Sequence, residues 1–238
     1  MMTSADNHIH VIIVAAGIGR RFADNSRTEK VPKQYQLIGN NTVLNHSIKA
    51  FDAAAVNSIT VVLHPEDTQW NKQSKIQSKH PIHTTTGGSQ RHDSVRNGIK
   101  SLHANPQDWV LVHDAARPCV SQQEIQDLIE ACQQKQQGGL LVKPISDTIK
   151  CSKNGTSVDK TLDRNQLYAA LTPQMFRCGD LLKALTVFEA GSITDESSAI
   201  ESQGQQPLMV VGKSSNIKIT NFEDLAVAAA ILEQQGRL

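Results

Sequence analysis

Aromatic residues make up only 4% of the 238-residue chain. So sparse a set offers no stacking platform for single-stranded nucleic acid. An excess of charge of either sign is also missing: 24 Lys and Arg stand against 23 Asp and Glu, a formal net charge of +1. A balanced chain projects no basic field along which nucleic acid would condense. No apolar run approaches the ~20 residues a membrane-spanning helix needs. The opening MMTSADNHIH has no cationic segment leading into an apolar one. Cys119, Cys132, Cys151 and Cys178 show no C-x-x-C spacing, which argues against a zinc knuckle or a disulfide framework. No Pro-, Gly- or Ser-rich linker and no internal repeat divides the chain. The expectation is one soluble cytoplasmic domain over residues 1–238, with neither nucleic acid nor membrane as partner.

What is present reads as an α/β fold. Ile9 to Val14 is a β-branched run suited to a strand buried on both faces, and Ser58 to Leu63 repeats the signal. Between them Leu44, Ile48 and Phe51 recur at helical spacing, which completes a βαβ unit of a parallel sheet. Trp109 to Val112 predicts a further strand. Ser121 and Glu124 form a capping box for a helix reaching about Gln136. Leu140 to Val142 is a short strand. Residues 143–165 are polar, lack a helical stripe and read as a hairpin projecting from the body. Such a hairpin exposes edges that a second subunit would cover, or it is a plain surface feature. Leu181, Leu182, Leu185 and Phe188 mark a helical face. Leu208 to Val211 and Ile217 to Ile219 read as strands, and Thr220 with Glu223 as a cap for an alanine-rich last helix.

Three loops and one lysine carry the polar chemistry. The first loop is Ala15-Ala16-Gly17-Ile18-Gly19-Arg20-Arg21, at the carboxyl end of the first strand, where α/β folds bind ligands. It is not a Walker A loop, for it lacks Gly-Lys-Ser/Thr. Phe22 stands where a dinucleotide fingerprint needs its third glycine, and Leu63-His64 where it needs a ribose-binding acid. Arg20, Arg21, Arg27, Lys30 and Lys33 follow closely, enough charge for a triphosphate or simply a solvated face. The second loop, Gly87-Gly88-Ser89-Gln90-Arg91, precedes a helix bearing Val95, Ile99 and Leu102, with Ser94 as a hydrogen-bond donor and Ser89 or Asp93 as alternative caps. The third, His113-Asp114-Ala115-Ala116-Arg117-Pro118, ends a strand in an acid suited to Mg²⁺, directly or through water. Arg117 there suits a phosphate fork or a salt-bridged turn. Lys218 alternates with Ile217 and Ile219 and so faces the other way, toward a phosphate or as a guard on an edge strand.

The segments AAGIGRRF, PKQY, GGSQRHDSV, VHDAARP, PISDT, DRNQL, LTPQ, ITDESSA and NIKIT, in this order, resemble the 2-C-methyl-D-erythritol 4-phosphate cytidylyltransferase family nearly end to end. The resemblance implies a Rossmann-like, mostly parallel sheet flanked by helices, with a projecting β-arm that builds a homodimer. It implies transfer of a cytidylyl group from CTP to methylerythritol phosphate with Mg²⁺, in non-mevalonate isoprenoid synthesis. Carried over by motif, Ala15, Ala16, Gly17, Gly88, Ser89 and Ser94 would contact CTP. Arg20, Lys33 and Lys218 would line its phosphates and, with Asp114, act in catalysis. Asp114, Arg117 and Thr148 would meet the alcohol substrate, joined by Arg164 from the partner's arm. The chain departs from the family pattern at Val14 (usually Pro), at Ser89 (usually Asp) and in a longer loop over 23–31. A cytidylyltransferase for another polyol phosphate, such as ribitol 5-phosphate, and a non-catalytic nucleotide-binding module are the competing readings.

Overall fold

The computed structural model describes residues 7–17, 22, 31–73, 76, 78–187 and 193–238. Strand β1 (Ile9–Val14) is the first apolar run, and Val11, Ile12 and Ile13 are wholly buried, so both faces of the sheet are covered there. A small hairpin, β2 (Leu37–Ile38) and β3 (Asn41–Thr42), leads into α1 (Val43–Lys49). The Thr42 hydroxyl accepts the Asn45 N–H and so starts that helix. Then come β4 (Ser58–Leu63), β5 (Ile82–Thr86), α2 (Arg91–Ser101), β6 (Trp109–Asp114), α3 (Gln122–Lys135) and β7 (Gly139–Pro144). A separate hairpin, β8 (Lys150–Cys151) with β9 (Lys160–Thr161), follows. The chain closes with β10 (Tyr168–Arg177), α4 (Cys178–Val187), α5 (Glu196–Glu201), β11 (Leu208–Val211) and α6 (Asp224–Gln234).

The main sheet has the order β11-β7-β10-β6-β1-β4-β5. Its strands are parallel except β10, which runs antiparallel to both β6 and β7. Side-chain alternation on β1 divides the core. Val11 and Ile13 pack with Leu44 and Ile48 of α1 and with Ile125 and Leu128 of α3. Ile12 points to the other face, among Val95 and Ile99 of α2 and Leu181 and Leu185 of α4. Helices therefore cover both faces. A third cluster seats Ala228 and Leu232 of α6 against Phe22, Val43 and Ile219.

Several expectations need correction. No strand forms at Ile217 to Ile219; the Ile217 N–H turns back to the Ser215 carbonyl, and the Ile219 N–H meets the Ala116 carbonyl, each at 2.8 Å. Glu223 stands at the N-cap of α6 but its side chain makes no cap bond; the carboxylate of Asp224, one residue on, accepts instead from the N–H groups of Thr220 and Asn221 and from the Thr220 hydroxyl. Strand β6 runs two residues past Val112, through His113 and Asp114. Phe188 and, apart from Val31, the loop over 23–31 lie outside the described residues. Four strands, the short pair β2 and β3 and the sheet strands β5 and β10, have no counterpart in the sequence reading. Residues 152–161 are all exposed, and the Ile145 N–H meets the Leu167 carbonyl where the β8–β9 segment joins the sheet.

His113 is buried at the end of β6 and lies edge-on to Phe51, with ring centroids 5.3 Å apart. Its Nε2–H donates to the Arg117 carbonyl, leaving Nδ1 to accept the Thr172 hydroxyl. Burial pushes the imidazole down to about 4, against the pull of Asp114. The folded value thus lies below the ~6.5 of an unfolded chain. Between the two, the unfolded chain binds a proton that the folded one refuses, so stability is full above that range and falls as pH drops through it. From pH 7 to 5 the loss from this group is expected to be about 2 kcal/mol. Burial also lowers His10 and His46, which add to the same slope. Urea unfolding of wild type and His113→Asn at both pH values isolates the His113 share; equal pH dependence in the two proteins would refute it.

Candidate active site

The carboxyl ends of β1, β4, β5 and β6 surround a cavity of 880 Å³, within the range of small-molecule sites. Ala15, Ala16 and Gly17 line it after β1, His64 and Pro65 after β4, Gly87 to Arg91 after β5, and Asp114 to Ala116 after β6. Parallel strands bring these loops to one side because every crossover returns the chain to the same end. Lys33, Gln34, Ser94 and Lys218 complete the wall.

The loops are held from beneath. Gln34 is buried and its amide donates to the carbonyls of Ala15 and Gly17, at 2.9 and 3.2 Å. That fixes the turn after β1. A Cβ on Gly87 would lie 2.6 Å from the Ala16 Cβ, and one on Gly88 would overlap the Asp93 Cβ. Only glycines let these two loops and α2 meet so closely. Ser94 accepts the Gly88 N–H and donates its own hydrogen to the Gln90 carbonyl. The donor expected of Ser94 is therefore committed to shaping the loop. Ser89 donates to Asp93, whose carboxylate also accepts the Gln90 N–H and caps α2.

Asp114 is the centre of the electrostatics. Its Oδ2 lies 2.7 Å from Lys218 Nζ and 3.5 Å from Arg117 Nε, and its Oδ1 lies 3.3 Å from Arg91 Nη2. Arg91 is anchored in turn by Glu196, a carboxylate buried to 1% exposure that takes both guanidinium nitrogens, at 2.5 and 3.1 Å. Burial alone would raise the Asp114 carboxyl. The Arg91, Lys218 and Arg117 charges more than reverse that and hold it well below the usual carboxylate range. A unit pair at 3–4 Å attracts by roughly 4–5 kcal/mol at an effective dielectric near 20, so two arginines suffice. Lys218, 40% exposed, adds a screened share. Burial likewise disfavours the Arg91 cation, and Glu196 and Asp114 reverse this, so its pKa is raised. Three cations against two carboxylates leave this cluster net positive.

Lys33 follows Pro32 in a 3-10 turn, and its ammonium donates to the Ile219 carbonyl at 2.8 Å. Ile219 is the neighbour of Lys218, so the two lysines flank one stretch of wall. Of the residues expected in catalysis, Lys33, Asp114 and Lys218 thus line one cavity, and Arg20 lies outside the described residues. Ala15, Ala16, Gly17, Gly88, Ser89 and Ser94 line it as well. Arg117 does not: its guanidinium faces Asp114 and donates to the Asn216 carbonyl at 2.8 Å. Its place is beneath Asp114 because Asn216 turns in to meet it, and Asn216 also donates to the Thr172 carbonyl. Thr148 and Arg164 are exposed and do not line this cavity; Arg164 donates to the Ser146 carbonyl.

Arg91 and Glu196 are the functional residues to which the sequence assigned no role. Both stood inside segments singled out for resemblance, GGSQRHDSV and ITDESSA, but 105 positions separate them. A resident metal does not fit these side chains. Asp114 is the sole carboxylate among the described residues of the wall, and both its oxygens face cations. Mg²⁺ prefers one or two available carboxylates plus substrate phosphates.

Comparison with known proteins agrees with this geometry. Residues 9–234 match the sequence model of the 2-C-methyl-D-erythritol 4-phosphate cytidylyltransferase family. The Vibrio vulnificus (strain CMCP6) enzyme of that name is 41% identical over 230 residues, covering 94% of each chain. The Klebsiella pneumoniae enzyme is 43% identical over 222 residues, covering 91% of this chain and 90% of its own. A crystal structure of 4-diphosphocytidyl-2C-methyl-D-erythritol synthase superposes with a TM-score of 0.81 at 34% identity, over 95% of this chain and 99% of the other. The Francisella tularensis cytidylyltransferase does so at 0.78 and 36%, over 94% and 100%. With its sheet, its glycine loops and the cations around Asp114 in one cavity, the chain belongs to the 2-C-methyl-D-erythritol 4-phosphate cytidylyltransferase family.

Proposed function

We propose that the protein transfers the cytidylyl group of CTP to 2-C-methyl-D-erythritol 4-phosphate, releasing pyrophosphate, on the non-mevalonate route to isoprenoid precursors. The observation that carries this reading is the cationic wall around Asp114, facing glycine loops across one cavity. Membership of the family supplies the identity of the two substrates.

The reaction forms a bond from a substrate phosphate oxygen to the α-phosphorus. The bridging oxygen between the α- and β-phosphates leaves with its electron pair as pyrophosphate. A phosphate monoester is largely dianionic at neutral pH, since its second pKa is near 6. The nucleophile needs no general base. The difficulty is bringing two anions together, which fixed cations offset most in a water-poor site. In this proposal Lys33 and Arg20 take the charge that grows on the triphosphate, and Lys218 serves its α-phosphate. Asp114 positions Lys218 and Arg91, and Arg117 supports Asp114 from beneath. The Gly87-Gly88-Ser89 turn and Ala15-Ala16-Gly17 cradle the nucleotide.

The polyol phosphate is assigned to Asp114 and to Thr148 and Arg164. The latter two sit on the segment carrying β8 and β9, so the proposal places them in a partner subunit's cavity and makes the working enzyme a homodimer in the cytoplasm. Mg²⁺ is proposed as a companion of the triphosphate's own oxygens, without a protein cage.

The direct test is pyrophosphate release in a panel of CTP, ATP, GTP and UTP with methylerythritol phosphate or ribitol 5-phosphate. Turnover is expected with CTP and methylerythritol phosphate and at least ~10²-fold less with the other pairs. Equal or faster turnover with ribitol 5-phosphate would overturn the substrate, and nucleotide binding without turnover would overturn the enzyme. Lys33→Met is expected to lower kcat by ~10²-fold or more. Mixing it with Arg164→Ala chains should then recover activity, because each mixed dimer keeps one intact site. No recovery in verified mixed dimers would place Arg164 in its own subunit's site or in none.

A further inference from the structure

We propose that His8, His10 and Asp108 form a binding site for one divalent transition-metal ion, of the Zn²⁺ class, at the end of the sheet opposite the cavity. Their candidate ligand atoms all lie within 4.8 Å of one another. The fold brings them together by register. β1 and β6 pair in parallel with Ile9 opposite Trp109, so His8 stands opposite Asp108 where the two strands begin. The Trp109 N–H donates to the His8 carbonyl at 2.8 Å and locks that register. His8 and His10 are two residues apart and so share one face of the strand. Six residues of β6 separate this end from Asp114, a span of about 20 Å at ~3.3 Å per residue.

Each ligand is prepared for the part. His10 Nδ1 is 2.8 Å from the Ser58 hydroxyl, which leaves Nε2 turned toward Asp108 Oδ2 at 3.9 Å. A hydrogen bond on the far nitrogen is the usual means of orienting a metal-binding imidazole. With Nδ1–H donating to the Ser58 hydroxyl, the neutral ring presents the bare Nε2 lone pair on the Asp108 side. Asp108 is buried to 3% exposure. Its oxygens accept the His8 and Asn105 N–H groups, and His10 is its one ion-pair partner among the described residues. A buried carboxylate with lone pairs to spare and no lysine or arginine in ion-pairing contact gains from a cation. Metal–ligand bonds of ~2.0–2.1 Å bring tetrahedral ligand atoms to about 3.3 Å apart. The exposed His8 side chain has the freedom to close that gap.

Two imidazoles and a carboxylate suit zinc or its borderline neighbours rather than Mg²⁺. The ion would clip the start of β1 to the start of β6, with water in the remaining position. The test is calorimetric titration of the tag-free protein with ZnCl₂, with MgCl₂ as control and Co²⁺ absorption as a reporter of imidazole ligation. One Zn²⁺ per chain is expected. His8→Ala and His10→Gln should each weaken binding at least ~10-fold, and Ser58→Ala by a comparable factor through the orienting hydrogen bond. Melting temperature should rise with zinc in wild type and not in the His8→Ala, His10→Gln double variant. No zinc binding by wild type, or unchanged binding by a folded double variant, would overturn the site. The cytidylyltransfer proposal stands apart from either outcome.

Discussion

One carboxylate sets the geometry of the cavity. Asp114 gathers Lys218, Arg91 and Arg117, whose positive charges would otherwise repel one another and turn toward solvent. The arrangement persists because the acid is buried and outnumbered: the penalty for its desolvation is exceeded by the attraction of the two mostly buried arginines. The result is a fixed, net positive cluster already in place before any phosphate arrives. Preorganisation of this kind spares the reaction the reorientation of groups or solvent at the moment charge develops.

The rest of the molecule places and restrains that cluster. β6 delivers Asp114 at its carboxyl end, and the Asp114 N–H donates to the Thr172 hydroxyl on β10. β10 in turn holds α5: Gln174 donates to Asp195 and accepts the Ser197 N–H. α5 presents Glu196, Glu196 clamps Arg91, and Arg91 returns to Asp114. The loop closes through strands that are neighbours in space and distant in sequence. The register of β10 against β6, with Gln174 opposite Val112, sets Thr172 beside Asp114 at the carboxyl end of β6.

The parts legible in the sequence were those in which local pattern and environment agree. β1, β4 and β6 are covered on both faces, so their apolar runs stood out. Asp114 and the glycine loops were legible because each breaks a regular pattern at the end of a strand; Lys218 stood out by its alternation with Ile217 and Ile219, although no strand forms there. β10 was not, since Thr172, Pro173 and Gln174 interrupt it. Pairing with β7 shifts register between Ala170 and Gln174, which accommodates the proline. The polar residues there are buried because tertiary partners satisfy them, which no local pattern records. β5 was missed for a related reason, being an edge strand rich in threonine and largely open on its surface. The roles of Arg91 and Glu196 depend on a contact made only by the finished topology. Arg117 shows the converse: its spacing suited a phosphate fork, and the nearby Asn216 carbonyl and Asp114 take it instead.

The central claim is that the Asp114 charge organises the cations for phosphate chemistry rather than merely stabilising a turn. The most direct measurement is steady-state pyrophosphate release by Asp114→Asn at a temperature where circular dichroism shows it folded. Its kcat is expected at least ~10²-fold below wild type, the scale of a lost electrostatic contribution. Turnover near the wild-type rate in that folded variant would contradict the claim.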